Sequence, residues 1–167
     1  MALVLTPQEI ASFDGPFRIT TVNGPLSLFR LCGRNAAGEA GRSDGRFWFN
    51  SKFFWNILDV ISNNASNTAL LNHYLRYVLR EFTAVCYDWN NFASIYELSL
   101  PRGEAIEVAV GRIAPQMPFS LNDPAKRQGL PYDVLVGGEF QYIIDLDARL
   151  KKLVAGPRPL LTHLGHA

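Results

Sequence analysis

Residues 134–145 read Val-Leu-Val-Gly-Gly-Glu-Phe-Gln-Tyr-Ile-Ile-Asp, with a clear strand pattern in their second half. Phe140 and Tyr142 fall on one face of a strand and Glu139 and Gln141 on the other, because successive strand side chains point to opposite faces. The preceding Gly-Gly pair permits backbone angles that other residues avoid and lets a ligand or another strand approach closely. The pattern therefore predicts either a strand whose polar face lines a cleft or an edge strand whose polar face meets water.

The composition bounds the class of protein. The chain has 167 residues, of which 48% are hydrophobic and 19% charged, and this predicts one globular domain over residues 1–167. Within it we expect residues 1–25 to be a lead-in and residues 155–167 a flexible tail. Lysine plus arginine number 16 and aspartate plus glutamate 15, so the net charge indicates no nucleic-acid partner.

Several kinds of site and segment are not indicated by the sequence. The two cysteines and three histidines do not have the spacing of a metal site, so no metal is predicted. The N-terminus lacks a basic region followed by a long apolar core, and no apolar run has membrane-spanning length. We therefore expect no signal peptide, no membrane partner and a cytoplasmic location, either in the producing cell or, for an effector, in its target cell.

Motifs of the common enzyme classes are also missing. The chain contains no Gly-x-Ser-x-Gly, no phosphate-binding loop and no Gly-x-Gly-x-x-Gly after a strand. Their absence argues against the familiar hydrolase, kinase and dehydrogenase folds. It leaves open an enzyme that uses other residues.

Two helices are predicted in the middle of the chain. The first is capped by Asn50 or Ser51 and ends near Asn63, and its apolar residues form one stripe. The second begins with Ser66 as its cap and runs to about Tyr87, with a similar stripe. Both are expected to pack against a core.

Strands are expected on either side of these helices. Residues 26–31 are a compact apolar run, and residues 96–100 and 106–110 alternate between apolar and polar side chains, as in a hairpin or one interrupted strand. Residues 115–131 contain four prolines and predict a long loop of the kind that often serves function. Residues 146–154 predict a short closing helix.

Arg30 is the first candidate for chemistry, because it lies near the end of a predicted buried strand. An arginine in that position requires compensation of its charge, so it either meets an internal carboxylate or faces a cleft that takes an anion. Its fork of donors suits a phosphate.

The second set of candidates combines aromatic and polar side chains. The run Gly-Arg-Phe-Trp-Phe contains Phe47, Trp48 and Phe49, whose rings can stack on a flat heterocycle such as nicotinamide or adenine. Glu139 and Gln141 can hydrogen-bond ribose hydroxyls. The structural alternatives are core packing for the aromatic residues and solvent exposure for Glu139.

The order of these pieces resembles the ADP-ribosyltransferase superfamily. Residues 96–145 are similar to the C-terminal part of tuberculosis-necrotizing-toxin-like NAD glycohydrolases. The matching pieces are Leu-Pro-Arg-Gly at residues 100–103, Gly-Arg-Ile-Ala-Pro-Gln at residues 111–116 and Gly-Gly-Glu-Phe-Gln-Tyr at residues 137–142. The resemblance implies an α+β fold in which a split, mostly antiparallel sheet with two packed helices bends NAD into a cleft.

The resemblance also implies roles for individual residues. An early arginine of that family contacts the NAD phosphate and a glutamine after a Gly-Gly pair works at the nicotinamide ribose, and Arg30 and Gln141 match them. No Glu-x-Glu or Gln-x-Glu motif is present, so Glu139 or Asp133 is left to supply a catalytic carboxylate. The nicotinamide side would be formed by Phe47, Trp48, Phe49 and Ser51.

The function implied is an NAD-consuming enzyme that cleaves the nicotinamide–ribose bond as a glycohydrolase or transferase, in a bacterial toxin or effector. NAD would be the substrate, and Gln141 or Glu139 would stabilise the developing positive charge on the ribose. The acceptor would be water, a protein or another macromolecule, and an immunity protein is a candidate partner. The alternative is a non-enzymatic protein-binding domain, such as an immunity protein or a degenerate transferase fold.

Overall fold

A computed structural model of the chain describes residues 2–33, 41, 44–63, 67–84, 92–116 and 137–160. In chain order, its elements are α1 (Pro7–Ala11), β1 (Arg18–Asn23), β2 (Leu26–Cys32), β3 (Phe47–Asn50), α2 (Ser51–Ser62), α3 (Thr68–Thr83), β4 (Ser94–Leu100), β5 (Ala105–Arg112), β6 (Phe140–Ile143), α4 (Ala148–Lys151) and β7 (Val154–Pro159). The predicted α+β class is confirmed. In these residues no helix is long and apolar enough to cross a membrane.

The sheet contains one long antiparallel pair of strands, which we call the ribbon. β1 pairs antiparallel with β5, starting from Arg18 opposite Val110, and β2 pairs in the same way with β4. Between the two pairs, the N–H of Gly24 donates to the carbonyl of Glu104 at 2.9 Å. β1 leads directly into β2, and β4 leads directly into β5. The ribbon therefore consists of two long strands that both bend at the same place, between residues 23–26 and 100–105. Of the two expected arrangements of β4 and β5, the structure has the interrupted strand.

The remaining strands close the sheet upon itself. The strand order is β1-β5-β6-β3-β2-β4-β7, and each recorded pairing in the described part of the chain is antiparallel. β6 and β3 therefore connect the β5 half of the ribbon to its β2 half. The sheet curls around one face, which we call the inner face.

The inner face and the outer face have separate cores. The inner core receives side chains from all seven strands, among them Val22, Leu28, Trp48, Leu98, Val108, Tyr142 and Val154. On the outer face, α2 and α3 pack over β2, β3 and β4 through residues that include Phe29, Phe49, Phe54, Leu58, Leu75, Leu79 and Ile95. The N-terminal segment covers the rest of the outer face, over Ala109 and Ile143.

The two long helices follow their sequence signals closely at their beginnings. The side chain of Asn50 accepts the N–H of Lys52 at 2.8 Å and caps α2, which ends at Ser62 as predicted. Helix α3 is capped by Asn67 rather than by Ser66. It ends earlier than predicted because Ala84 adopts a left-handed conformation with φ 49°, which terminates a helix.

The C-terminal part corrects two expectations. Residues 154–159 form β7, an edge strand on β4, so the flexible tail does not begin at residue 155. Its prolines fit there because one side of an edge strand needs no hydrogen-bond partner. The closing helix α4 is also shorter than predicted.

The N-terminal lead-in is also structured, since residues 1–25 contain α1 and β1. Several expected features lie outside the described residues. These are most of the loop at residues 115–131, the first part of the stretch at residues 134–145, Asp133, and the last residues of the tail.

Candidate functional site

Arg30 lies in a row of large side chains on the inner face. Phe29 and Phe49 are opposite each other in β2 and β3 and belong to the outer core, so the neighbouring Arg30 and Trp48 point to the inner face. Tyr96 is opposite Arg30 in β4. Tyr142 of β6, opposite Trp48, continues the row.

The segment before β3 packs over this row. A Cβ atom built on Gly45 would overlap the guanidinium of Arg30, so the guanidinium rests directly on that glycine. Trp48 Nε1 donates to the carbonyl of Gly45 at 2.9 Å. The hydroxyl of Tyr96 donates to the carbonyl of Gly41 at 3.0 Å. The glycine at position 45 thus permits the observed position of the arginine.

The charge of Arg30 lies in a half-buried environment with an acidic group nearby. Burial lowers the pKa of Arg30 below its ordinary value, and the groups of Cys32, Asp44 and Tyr96 oppose that shift without cancelling it. The guanidinium remains protonated because its ordinary pKa lies far above neutrality. Of the two alternatives for Arg30, the structure therefore contains the internal carboxylate, which is that of Asp44.

Gln141 lies on the opposite face of the sheet. It is opposite Phe49 in β3 and is only 3% exposed. Its Nε2 donates to the carbonyl oxygen of Ser12 at 3.0 Å and to the Oγ of Ser12 at 2.7 Å. The amide that the sequence suggested for ribose binding thus holds the N-terminal segment on the outer face.

Glu139 belongs to the same face by the alternation of β6, and it is half-buried. Its carbonyl accepts the N–H of Ile113 at 2.8 Å. Asp133, the other candidate carboxylate, lies outside the described residues.

An ion-pair cluster reinforces the attachment of the N-terminal segment. Arg46 contacts the carboxylate of Glu9 at 2.8 Å and that of Asp145 at 2.9 Å. It also donates to the carbonyl of Val4 at 2.8 Å. Because Glu9 is buried, these contacts tie α1 to the strand that begins after Arg46.

The aromatic residues of β3 do not form a single wall. Trp48 is fully buried in the inner core, whereas Phe49 is buried in the outer core, with its ring centroid 5.5 Å from that of Phe29. Phe47 is 37% exposed. Ser51 begins α2, and its hydroxyl donates to the carbonyl of Ser27 at 2.8 Å.

The structure therefore divides the predicted site residues into two groups. Arg30 and Trp48 are together on the inner face. Gln141 and Glu139, with Phe47 and Phe49, belong to the outer face. One small ligand at Arg30 does not reach Gln141, because the sheet lies between them.

Two of the sequence pieces that carry the family resemblance are neighbours in space. Residues 111–116 continue β5 beside residues 137–142, and the N–H of Gly138 donates to the carbonyl of Ile113 at 3.0 Å. Gly137 has φ 66°, and a Cβ there would lie 2.6 Å from the same carbonyl oxygen. Only glycine fits this conformation and spacing.

Four inner-face residues were not anticipated from the sequence: Arg18, Arg112, Phe140 and Tyr142. The alternation of β6 already separated Phe140 and Tyr142 from Glu139 and Gln141. It did not show that the apolar side of the strand is the one that shares a face with Arg30, because that depends on pairing between distant strands.

In the described ranges, no group of three or more His, Cys, Asp or Glu side chains could hold a metal ion. Comparison of the chain with protein-family models, curated proteins and solved structures finds no match. The family resemblance therefore rests on the sequence pieces and their order.

Proposed function

We propose that this domain binds NAD on the inner face of its sheet and cleaves the nicotinamide–ribose bond, as a glycohydrolase or an ADP-ribosyltransferase. The observation that carries the proposal is the position of Arg30, whose half-buried side chain lies on the inner face in one row with Tyr96, Trp48 and Tyr142. The guanidinium fork of an arginine matches two phosphate oxygens.

The surroundings of Arg30 support a ligand that has both phosphate and flat rings. Tyr96 and Trp48 flank it as buried side chains of the inner core. The half-buried Tyr142 follows in the same row and is the ring there that a ligand contacts. Aromatic side chains of this kind stack on heterocycles. The adjacent sequence pieces of the NAD glycohydrolase pattern, at residues 111–116 and 137–142, add support from the resemblance.

The bond cleavage passes through a ribosyl cation, which a nearby carboxylate or amide oxygen stabilises. The resemblance gives this role to Gln141, with Glu139 as the charged alternative. Since Gln141 is bound to Ser12 on the outer face, we propose that it acts by positioning β6, and with it Tyr142, rather than by touching NAD at Arg30.

A toxin or effector is the biological setting that the resemblance suggests, with an immunity protein as partner. This predicts that expression of an active protein harms a host that lacks the inhibitor. An inactive Arg30 variant should be tolerated in the same host, and this comparison tests the setting separately from the chemistry.

The proposal is tested by NAD consumption by the purified protein, with nicotinamide release and the fate of ADP-ribose followed together. Free ADP-ribose identifies a glycohydrolase, and ADP-ribose retained on a macromolecule identifies a transferase. Arg30→Gln should weaken NAD binding, whereas Arg102→Gln, a change at an exposed turn, should leave it unaltered. Absence of nicotinamide release and of thermal stabilisation by NAD would rule out the proposal.

The second candidate is a non-enzymatic protein-binding domain. It is favoured by the exposed apolar side chains on α2 and α3: Trp55, Val60, Tyr74, Tyr77 and Phe82. Exposed aromatic residues are enriched in protein interfaces. The same NAD titration separates the candidates, because a binding domain of this kind gains no thermal stability from NAD.

A further inference from the structure

A second surface on the inner face combines arginines with aromatic rings. Arg112 is opposite Phe140 in the pairing of β5 with β6. Val110 is opposite both Tyr142 and Arg18, which brings β1 into the same face. We call Arg18, Arg112, Phe140 and Tyr142 the arginine–aromatic patch.

The patch is accessible and positively charged. Phe140 is 45% exposed, both arginines are exposed and Tyr142 is half-buried. The Cζ atom of Arg112 lies 5.7 Å from the centroid of the Phe140 ring. In the part of the chain that the structure describes, neither Arg112 nor Arg18 forms an ion pair with a carboxylate.

These groups have complementary uses for one class of ligand. An exposed aromatic ring stacks on a nucleobase, and guanidinium forks on neighbouring strands bind a phosphate through paired hydrogen bonds. The chain has a net charge of only +1, and long nucleic acids require a broader positive surface. The chemistry therefore fits a single nucleotide.

We infer that the arginine–aromatic patch binds a nucleotide, with the base on Phe140 and the phosphate on Arg112 and Arg18. Its assignment to the AMP half of NAD rests on the proposed function. β5, which carries Arg112, lies three strand spacings from β2, which carries Arg30, about 14 Å along a sheet. The two surfaces are thus suited to different parts of one dinucleotide.

The test is calorimetric titration of the full chain with AMP, and with ribose 5-phosphate as an anion that lacks the base. Phe140→Ser should weaken AMP binding about 5- to 160-fold, the range expected for loss of one base–aromatic stack. Phe47→Ser is the matched control, because Phe47 is also exposed but belongs to the outer face, and it should leave AMP affinity unchanged. Arg112→Gln should weaken both ligands.

The inference is overturned if the wild-type protein does not bind AMP, if Phe140→Ser and Phe47→Ser bind it equally, or if ribose 5-phosphate binds as tightly as AMP. Failure of the proposed function gives a different result. If AMP binding depends on Phe140 and NAD is not cleaved, nucleotide binding by the patch is supported and the proposed enzymatic activity is contradicted. If NAD is cleaved and AMP binding does not depend on Phe140, the enzymatic activity is supported and nucleotide binding by the patch is contradicted.

Discussion

Replacement of Gln141 by alanine distinguishes a structural role of this side chain from a catalytic one. The amide is buried and donates two hydrogen bonds to Ser12. In Gln141→Ala, Ser12 loses both hydrogen bonds from the amide, while its carbonyl keeps the N–H of Ala114 and its hydroxyl still donates to the carbonyl of Glu9. The outer face also loses a packed methylene group between β6 and the N-terminal segment.

The magnitude follows from these two losses. Loss of two hydrogen bonds, each with a net contribution of about 0.5–1.5 kcal/mol, costs about 1–3 kcal/mol, and removal of one buried methylene adds about 0.8 kcal/mol. We therefore expect the free energy of unfolding to fall by about 2–4 kcal/mol. For a chain of this length, that corresponds to a decrease in Tm of roughly 4–16 °C.

The assay is urea unfolding with thermal melting of wild type, Gln141→Ala, Gln141→Met and Glu139→Ala. Gln141→Met keeps the side-chain volume and removes only the hydrogen bonds. It should therefore regain the share of the free energy of unfolding that Gln141→Ala loses through packing. Glu139→Ala should change stability by less than about 1 kcal/mol, because Glu139 is half-buried at the end of its strand. If Gln141→Ala has the same Tm as the wild type but a lower NAD turnover, the positioning argument is wrong and Gln141 acts at the ribose directly.

Three further predictions concern the packing around these sites. Gly45→Ala should displace the Arg30 guanidinium, because the new Cβ would overlap it. NAD affinity measured by calorimetry should therefore fall. The Tm should change little, since the end of a long side chain can move. Asn50→Ala removes the cap of α2 and should cost about 1 kcal/mol in urea unfolding; an unchanged midpoint would show that the cap contributes nothing. Arg46→Ala leaves the buried carboxylate of Glu9 with the N–H of Thr6 but without its ion pair. It should cost about 1.5–3 kcal/mol, as for a hydrogen bond to a charged group, with faster hydrogen exchange in α1; unaltered exchange in α1 would contradict the role assigned to this cluster.

Local sequence signals predicted the elements that depend on neighbouring residues. The cap at Asn50 and the apolar stripe after it fixed the beginning and end of α2. The alternation around Gln141 gave the two faces of β6 correctly, since Ile143 and Tyr142 belong to different cores. These features depend on contacts or backbone angles within a few positions along the chain.

Features that depend on distant residues were predicted poorly. β7 was expected to be part of a tail, because its prolines and glycine indicate a loop and its strand character comes from pairing with β4. The end of α3 was placed too late, since the apolar pattern continues past Ala84 although the backbone turns left-handed there. Neither the pairing of β7 with β4 nor the left-handed backbone at Ala84 produces a recognisable pattern in the neighbouring sequence.

The separation of Arg30 from Gln141 follows from strand register. Phe49 is opposite both Phe29 and Gln141, so odd-numbered positions of β2, β3 and β6 share the outer face. A slip of one residue between β3 and β6 would move Gln141 to the inner face, the face of Arg30, two strands away from it. It would also place Tyr142 beneath the N-terminal segment and remove the hydrogen bonds to Ser12. The hydrogen bonds to Ser12 stabilise the observed register. In that register the even-numbered side chains of β6 share the inner face with Arg30, so a ligand at Arg30 meets those side chains and not Gln141.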